Sequence, residues 1–328
     1  MRGGMVSDLA PLVSVIIPTY NRVNSLRRTL DSLAQQTYPA VRFEVIVVDD
    51  GSTDTTPEIR DLAPLPVRYY RQGNQGAAAA RNAGAVEARG ELLVFLDDDV
   101  IVHECFLDAL VAGHPRNSRT MTMGQFQPMH EDGHVYARIR ARRHRRAMAK
   151  QATELPFSAC VSNNLCIEKT AFMDIGLWQN ALGDGPALWS DVVFGLNAWK
   201  CGYTLLVIPE AMAWHCDQWG SNLALSRERA LHVARLGVLL FRQLPELKGH
   251  IPMFRDKEPI DVRFDSLPLI VRKLFYRVIA LALVQDIVQA TTRLVERLLP
   301  DSQLLEHLYH WQLGASIYKG YHQGLDDE

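Results

Sequence analysis

Phe43-Glu44-Val45-Ile46-Val47-Val48-Asp49-Asp50-Gly51-Ser52 runs from an almost unbroken apolar stretch straight into two carboxylates and a turn. An apolar run without alternation marks a strand covered on both faces, the usual state of a parallel strand. Upstream, Leu26, Leu30 and Leu33 fall at i, i+4 and i+7 on an otherwise polar segment, the single stripe of a surface helix. Before that helix, Val13, Val15, Ile16 and Ile17 read as a second buried strand, expected to stop at Pro18 ahead of polar Thr19, Tyr20 and Asn21. Downstream, Thr53, Asp54 and Pro57 supply helix-start chemistry, a short third strand is expected near Val67 to Tyr70, and an Ala-rich helix from Gly76 to Ala88. Leu92 to Leu96 is the fourth strand, ending at Asp97, Asp98 and Asp99. This alternation predicts an α/β fold: a Rossmann-like, mostly parallel sheet with flanking helices and right-handed crossovers. Ligands of such sheets bind beyond the carboxyl ends of the strands. Thr19, Tyr20, Asp49, Asp50 and the three consecutive aspartates are therefore expected to converge on one crevice.

The chain has 328 residues, room for about two domains of ordinary size. Its hydrophobic share of 48% and charged share of 22% exclude collagen-like, disulfide-scaffold and fully disordered classes. Lys and Arg total 35 against 37 Asp and Glu, so no global field draws the chain to nucleic acid, and none is expected as a partner. Five cysteines, Cys105, Cys160, Cys166, Cys201 and Cys216, have no Cys-x-x-Cys pair and read as free buried thiols. Met1 to Pro11 lacks the layout of a secretory signal and no apolar run reaches the roughly 18 residues of a spanning helix, so a cytoplasmic protein is expected. Beyond the aspartates the pattern predicts strands at Met121 to Gln127 and Tyr203 to Ile208 and a helix at Asp191 to Trp199. From Ser226 nearly everything reads as helix, including a long segment near Leu269 to Leu299 closed by Pro300.

Three carboxylates in a row at the end of a buried strand repel one another and resist desolvation unless something cationic gathers them. A hard divalent ion, Mg²⁺ or Mn²⁺, suits oxygen ligands and binds through one or two carboxylates plus substrate phosphates. A solvated acidic loop is the alternative. Asp49 or Asp50 could accept hydrogen bonds from a nucleotide base or ribose, although Asp-Gly-Ser after a strand is also ordinary turn chemistry. No Gly-x-Gly-x-x-Gly follows the first strand and no P-loop occurs anywhere, so a nucleotide would be held by other means.

Val13 to Asn21, Val47-Val48-Asp49-Asp50-Gly51-Ser52-Thr53-Asp54, Asn74-Gln75-Gly76 with Ala80-Arg81-Asn82-Ala83-Gly84, and Phe95-Leu96-Asp97-Asp98-Asp99 closely resemble, in that order, the motifs of family 2 glycosyltransferases of the GT-A fold. Ser190-Asp191 followed by Trp199-Lys200-Cys201-Gly202-Tyr203 resembles the acidic pair and Gly-Tyr of the second half. The resemblance implies a GT-A domain over 1–222, its nucleotide-sugar half at about 12–105 and its acceptor half at 106–222, followed by a helical region over 223–328. It implies an inverting hexosyltransferase that uses a nucleotide-diphosphate sugar, a UDP-sugar in the first instance, and Mn²⁺ or Mg²⁺. Pro18, Thr19, Tyr20, Arg22, Asp50, Arg81, Asp97 and Asp98 would bind the nucleotide-sugar. Asp99, with Asp97 and His215, would bind the metal, and Asp191 would be the general base. Ser190 departs from the family pattern, which has Glu or Asp before the base. Asn163, Asn164, Trp189 and Ser190 would face the acceptor, a saccharide, lipid-linked or other hydroxyl compound; Trp178 and Trp189 would offer flat rings to a sugar. Structural roles compete at each of these acceptor positions and at His215.

Tyr136 to Lys150 carries seven basic residues and no acidic one. A solvated helix face is the default reading, and an anionic acceptor or a membrane surface is the other. An apolar stripe through Leu274, Val278, Leu281, Val284, Val288, Val295 and Leu298 suits packing, peripheral membrane contact or a homo-oligomer formed through the C-terminal helices. A nucleotidyltransferase and a non-catalytic carbohydrate- or partner-binding module of the same fold are the alternatives for the whole.

Overall fold

The computed structural model describes residues 11–128, 134–148, 153–180, 182, 188–216 and 222–327. The strands are β1 (Val13–Thr19), β2 (Phe43–Asp49), β3 (Val67–Arg71), β4 (Leu92–Leu96), β5 (Val100–Val102), β6 (Thr120–Pro128), β7 (Glu154–Leu155), β8 (Asn164–Glu168) and β9 (Thr204–His215). The helices are α1 (Val23–Leu33), α2 (Ile59–Leu62), α3 (Ala77–Glu87), α4 (Phe106–Gly113), α5 (Val135–Met148), α6 (Lys169–Ile175), α7 (Ser190–Lys200), α8 (Leu223–Gln243), α9 (Leu267–Ile279), α10 (Ala282–Leu298) and α11 (Gln303–Asp326). They fall into two compact units, Met1–Pro128 with Met148–Cys216 and Met129–Ala147 with Asp217–Glu328.

The first unit is one mixed sheet in the order β3-β2-β1-β4-β8-β6-β9-β5, with β7 against β9. β3, β2, β1 and β4 are all parallel, joined through helices, while β8 returns antiparallel to β4 and to β6. One apolar layer sets Leu26, Leu30 and Leu33 of α1 against Val15, Ile17, Val47 and Val94; another sets α3, α6 and α7 against the opposite face. Both faces of β1, β2 and β4 are thus buried, which explains their continuous apolar runs. Gly84 lets α3 lie close to β1, because a Cβ there would stand 2.5 Å from a methyl of Ile16.

β1 does not stop at Pro18 but runs to Thr19. The Thr19 carbonyl accepts from the Asp50 N–H at 2.9 Å on the β2 side, so alternation turns Pro18 toward β4. Pairing with β4 has already ended at Ile16 and Phe95, and the absent N–H costs no ladder bond. β9 likewise extends to His215, past Pro209 and Glu210, because its register against β6 skips from Ile208 to Met212 and leaves those residues outside the ladder.

In the second unit α11 is the central helix. Gly324 allows close contact with α8, since a Cβ would lie 2.6 Å from the Arg235 carbonyl. The expected long helix over Leu269 to Leu299 is two, α9 and α10, broken at Ala280 and Leu281. The Gln285 side chain donates to the freed Ile279 carbonyl at 2.7 Å, satisfying the break from within. α5, which carries the arginine run, belongs to this unit: Tyr136 stacks edge-on with Tyr309 at 5.1 Å, and Arg138, Arg142 and Arg146 meet Asp301 and Glu306. Part of the run is therefore neutralised by α11 and the turn before it. All five cysteines are free thiols, but only Cys160 and Cys166 are buried as expected; Cys105 and Cys216 are half-buried and Cys201, in the turn after α7, is exposed.

Candidate active site

The carboxyl ends of β1, β2 and β4 converge as the alternation predicted, and three loops cross-link them. After β1, Asn21 takes a left-handed conformation and its Oδ1 accepts from the Thr53 N–H at 2.7 Å, while its own N–H donates to Ser52 Oγ at 2.9 Å. This ties the first loop to the Asp-Gly-Ser turn. Asp49, fully buried, accepts from the Ser52 N–H at 2.8 Å and from the Tyr69 hydroxyl, which burial and that carboxylate hold well above its ordinary pKa. Asp49 is thus the turn residue. Asp50 points the other way and is gripped by Gln72 Nε2 and the N–H groups of Gln75 and Gly76, at 2.8, 2.9 and 2.8 Å.

A cavity of about 280 Å³ opens above these ends, lined by Pro18, Thr19, Tyr20, Arg22, Asp50, Ala77, Arg81, Asp97 and Asp98. All eight residues expected to bind a nucleotide-sugar line it, with Ala77 of α3 as an addition that no side-chain chemistry in the sequence advertised. Tyr20 is 44% exposed, an open aromatic face at the rim.

Two arginines hold the three aspartates apart. Arg81, buried on α3, reaches Asp97 at 2.5 Å. Arg22 bridges Asp98 at 3.2 Å and Asp99 at 3.0 Å. Asp98 also accepts from Thr19 Oγ1 at 2.7 Å, and its backbone carbonyl accepts from Thr29 Oγ1 at 3.0 Å, locking the aspartate turn to α1. Burial drives the Asp98 pKa up to about 7, against the pull of Arg22 and Thr19 and with the push of its two acidic neighbours. Asp99 meets His215 Nε2 at 3.1 Å at the end of β9, and the imidazole and Arg22 together hold its pKa below the usual carboxylate value although burial opposes them.

Asp98 supplies a direct pH test. Its folded pKa lies above that of an exposed Asp, so its contribution to stability is full below about pH 4 and disappears as pH rises through about 7. Asp98→Asn is expected to flatten the fall in unfolding free energy between about pH 4 and 7, a slope of at most about 1.4 kcal/mol per pH unit from one proton. Denaturant titrations across that range read it; an unchanged slope would show that Asp98 does not titrate there.

Asp191 lies in the first turn of α7. Burial raises its pKa, while the Arg81 charge and hydrogen bonds from Ser162 lower it and Asp97 raises it again. Arg81 therefore acts on both the carboxylate after β4 and the one on α7. Ser162 was not singled out by sequence, since a serine before two asparagines carries no spacing signal. Asn164 is buried in β8 opposite Leu96 and donates to the Gly124 carbonyl at 2.9 Å, and the Oδ1 atoms of Asn163 and Asn164 are buried without a partner among the described residues. Trp189 and Ser190 are buried at the start of α7. Trp178 is buried against Phe194 and Phe95, with ring centroids at 4.3 and 5.4 Å, so its faces are in the core.

A parallel half-sheet that ends on an open cavity, with an acidic turn on the strand beside it and a further carboxylate across a buried arginine, is the layout of a GT-A glycosyltransferase. Residues 14–176 match the model of glycosyl transferase family 2. The glycosyltransferase AglE of Haloferax volcanii is 30% identical over 217 residues, 64% of this chain and 68% of the relative. The chain belongs to glycosyl transferase family 2. Validoxylamine A glucosyltransferase of Streptomyces hygroscopicus is 46% identical over 108 residues, 32% of this chain; the match spans only 26% of that relative's length. A mannosyltransferase from Pyrobaculum calidifontis, solved in complex with GDP-Man and Mn²⁺, shares the fold with a TM-score of 0.62 at 20% identity, covering 97% of this chain and 88% of its own.

Proposed function

We propose that this chain transfers a sugar from a nucleotide-diphosphate donor, UDP-sugars foremost, to an acceptor hydroxyl, with inversion at the anomeric carbon. The observation that carries the reading is the cavity lined by eight residues of the family's donor motifs, with the charge of Arg81 acting on both Asp97 and the partly buried Asp191. Tyr20 and Pro18 offer an apolar rim for a base, and Asp50, braced by Gln72 and two N–H groups, is an acceptor held in one orientation for a base or ribose donor. Arg22 and Arg81 put two guanidinium groups beside the region a diphosphate would occupy. Asp191 takes the acceptor's hydroxyl proton as it attacks, a role for which a partly buried carboxylate with a raised pKa is suited. The attack on the face opposite the leaving group inverts the sugar.

Among the described residues no group of three His, Cys, Asp or Glu side chains could hold a metal ion by itself. Asp99 and His215 are nonetheless adjacent at 3.1 Å, and two protein ligands suffice for Mg²⁺ or Mn²⁺ when substrate phosphates and water complete the shell. Asp99 and His215 would hold it, while Asp97, the third ligand expected from the sequence, is engaged by Arg81 and not grouped with them; the ion would offset charge on the departing diphosphate. Triphosphate chemistry would ask for a basic cluster at the first loop, where Arg22 is already engaged by two aspartates, so nucleotidyl transfer is less well supported.

Thermal unfolding with UDP, GDP, dTDP and CDP, each with and without Mn²⁺, tests the reading. At a hundredfold excess over its dissociation constant the right nucleotide should add about 2.7 kcal/mol, and only with metal present. A folded protein unmoved by all four would count against donor binding.

A further inference from the structure

The second unit leaves a large apolar surface uncovered. Among the described residues, twelve of the twenty exposed large hydrophobics fall within the 38 residues from Val262 to Leu299. They do not form the single stripe read from sequence. Val288 and Val295 of α10 turn inward with Leu305 and Tyr309, whereas Leu283, Ile287, Leu294 and Leu298 follow one another up the outer face, between 57% and 73% exposed. On α9, Leu267 and Val271 face out in the same manner, and Phe264 in the preceding loop is 86% exposed. The apolar face of α10 is broader than the part its own unit covers, which leaves its outer half for a second partner. Patches of this extent mark an interaction surface rather than scattered surface residues.

The charges beside this surface are predominantly basic. Arg263, Arg272, Arg277, Arg293 and Arg297 are exposed in the same stretch, and the acidic side chain exposed among them is Asp286. Arg293 and Arg297 each precede a residue of the outer stripe by one position, along one edge of it. Among the described residues Arg272 pairs with Asp256, and no carboxylate pairs with Arg263, Arg277, Arg293 or Arg297. A second copy laid on this face by two-fold symmetry would bring arginines against arginines. No described helix is long and apolar enough to cross a membrane. An apolar stripe edged by arginine fits a helix lying in the boundary layer of a bilayer, its leucines among the acyl chains and its guanidinium groups at anionic headgroups.

We propose that α9 and α10 with the loop before them form a docking surface for an anionic lipid bilayer. The chain settles there in the plane of the interface without crossing it. The inference concerns a surface of the second unit and its test reads lipid binding alone, so it stands or falls separately from the reading of the cavity.

The intact chain is floated with vesicles of phosphatidylcholine, with and without phosphatidylglycerol. Binding to the anionic vesicles and little to the neutral ones is expected, weakening with salt as headgroup attraction is screened. Replacing Ile287 and Leu294 together by Glu should cut the bound fraction at least tenfold. Arg293→Gln and Arg297→Gln should each weaken partitioning about fivefold. These side chains are exposed, and an unchanged circular dichroism spectrum and melting temperature confirm that the variants fold. Failure of the parent chain to float with anionic vesicles would overturn the proposal, as would flotation unaffected by the two glutamates. A dimer in sedimentation equilibrium that those glutamates dissociate would also overturn it, assigning the face to a second copy.

Discussion

Asp191→Asn is expected to cost about 10³-fold in turnover, within the range that general-base catalysis contributes, while leaving nucleotide binding nearly intact. The amide keeps the shape of the carboxyl, can still accept from Ser162, and stays in the first turn of α7. What it loses is the ability to take a proton. Burial raises the pKa of Asp191, so the parent enzyme's rate should rise with pH through a limb displaced above the ordinary carboxylate range. The working form is the ionised one, present above that pKa and lost below it. Asp191→Asn should remove the limb along with the rate. Steady-state kinetics across pH 4 to 8, beside isothermal titration of the nucleotide, separates the two effects. Turnover that survives the change would refute the role of Asp191 as base.

The parallel half of the sheet was legible because its strands are buried on both faces, and a strand with no wet side reads as an unbroken apolar run. β4 at Leu92–Leu96 falls where the pattern put it, and the polar residues after β1, β2 and β4 meet because parallel strands all deliver their carboxyl ends to one edge. Pro18 was misread as a stop because a proline's cost depends on whether a partner waits for its N–H, which is a property of the neighbouring strand. The break at Ala280 was invisible for a related reason: it has neither glycine nor proline, and its stability rests on a side chain, Gln285, that reads as an ordinary helix residue. In the site, side chains that reach a cavity from strand ends were nameable from motifs. Ser162, which acts through Asp191, was not, since its partner lies far away in sequence and only the fold brings them together. The arginine run shows the limit of charge counting. Arg138, Arg142 and Arg146 find carboxylates on Asp301 and Glu306, more than 150 residues away.

Arg81→Met should be the most damaging single change to stability in the first unit. The guanidinium is 8% exposed, holds Asp97 at 2.5 Å and faces Asp191. Methionine keeps much of the apolar stem but leaves two partly buried carboxylates without their cation, and breaking a part-buried pair from its buried side costs about 3 kcal/mol, the low end for buried pairs. For a unit of this size that corresponds to a fall in melting temperature on the order of 10 °C. The loss has a signed pH dependence. Without Arg81 the Asp191 carboxyl should bind its proton more tightly still in the folded chain, so the deficit is smallest at pH 4 and grows as pH rises to 8. Adding Asp97→Asn to Arg81→Met should recover part of the stability, a non-additivity expected of residues in direct contact. Melting curves of the parent chain and the two variants at several pH values decide the matter. A deficit that stays constant from pH 4 to 8 would mean that Arg81 stabilises the fold through its stem, and that the ionisation of Asp191 does not depend on it.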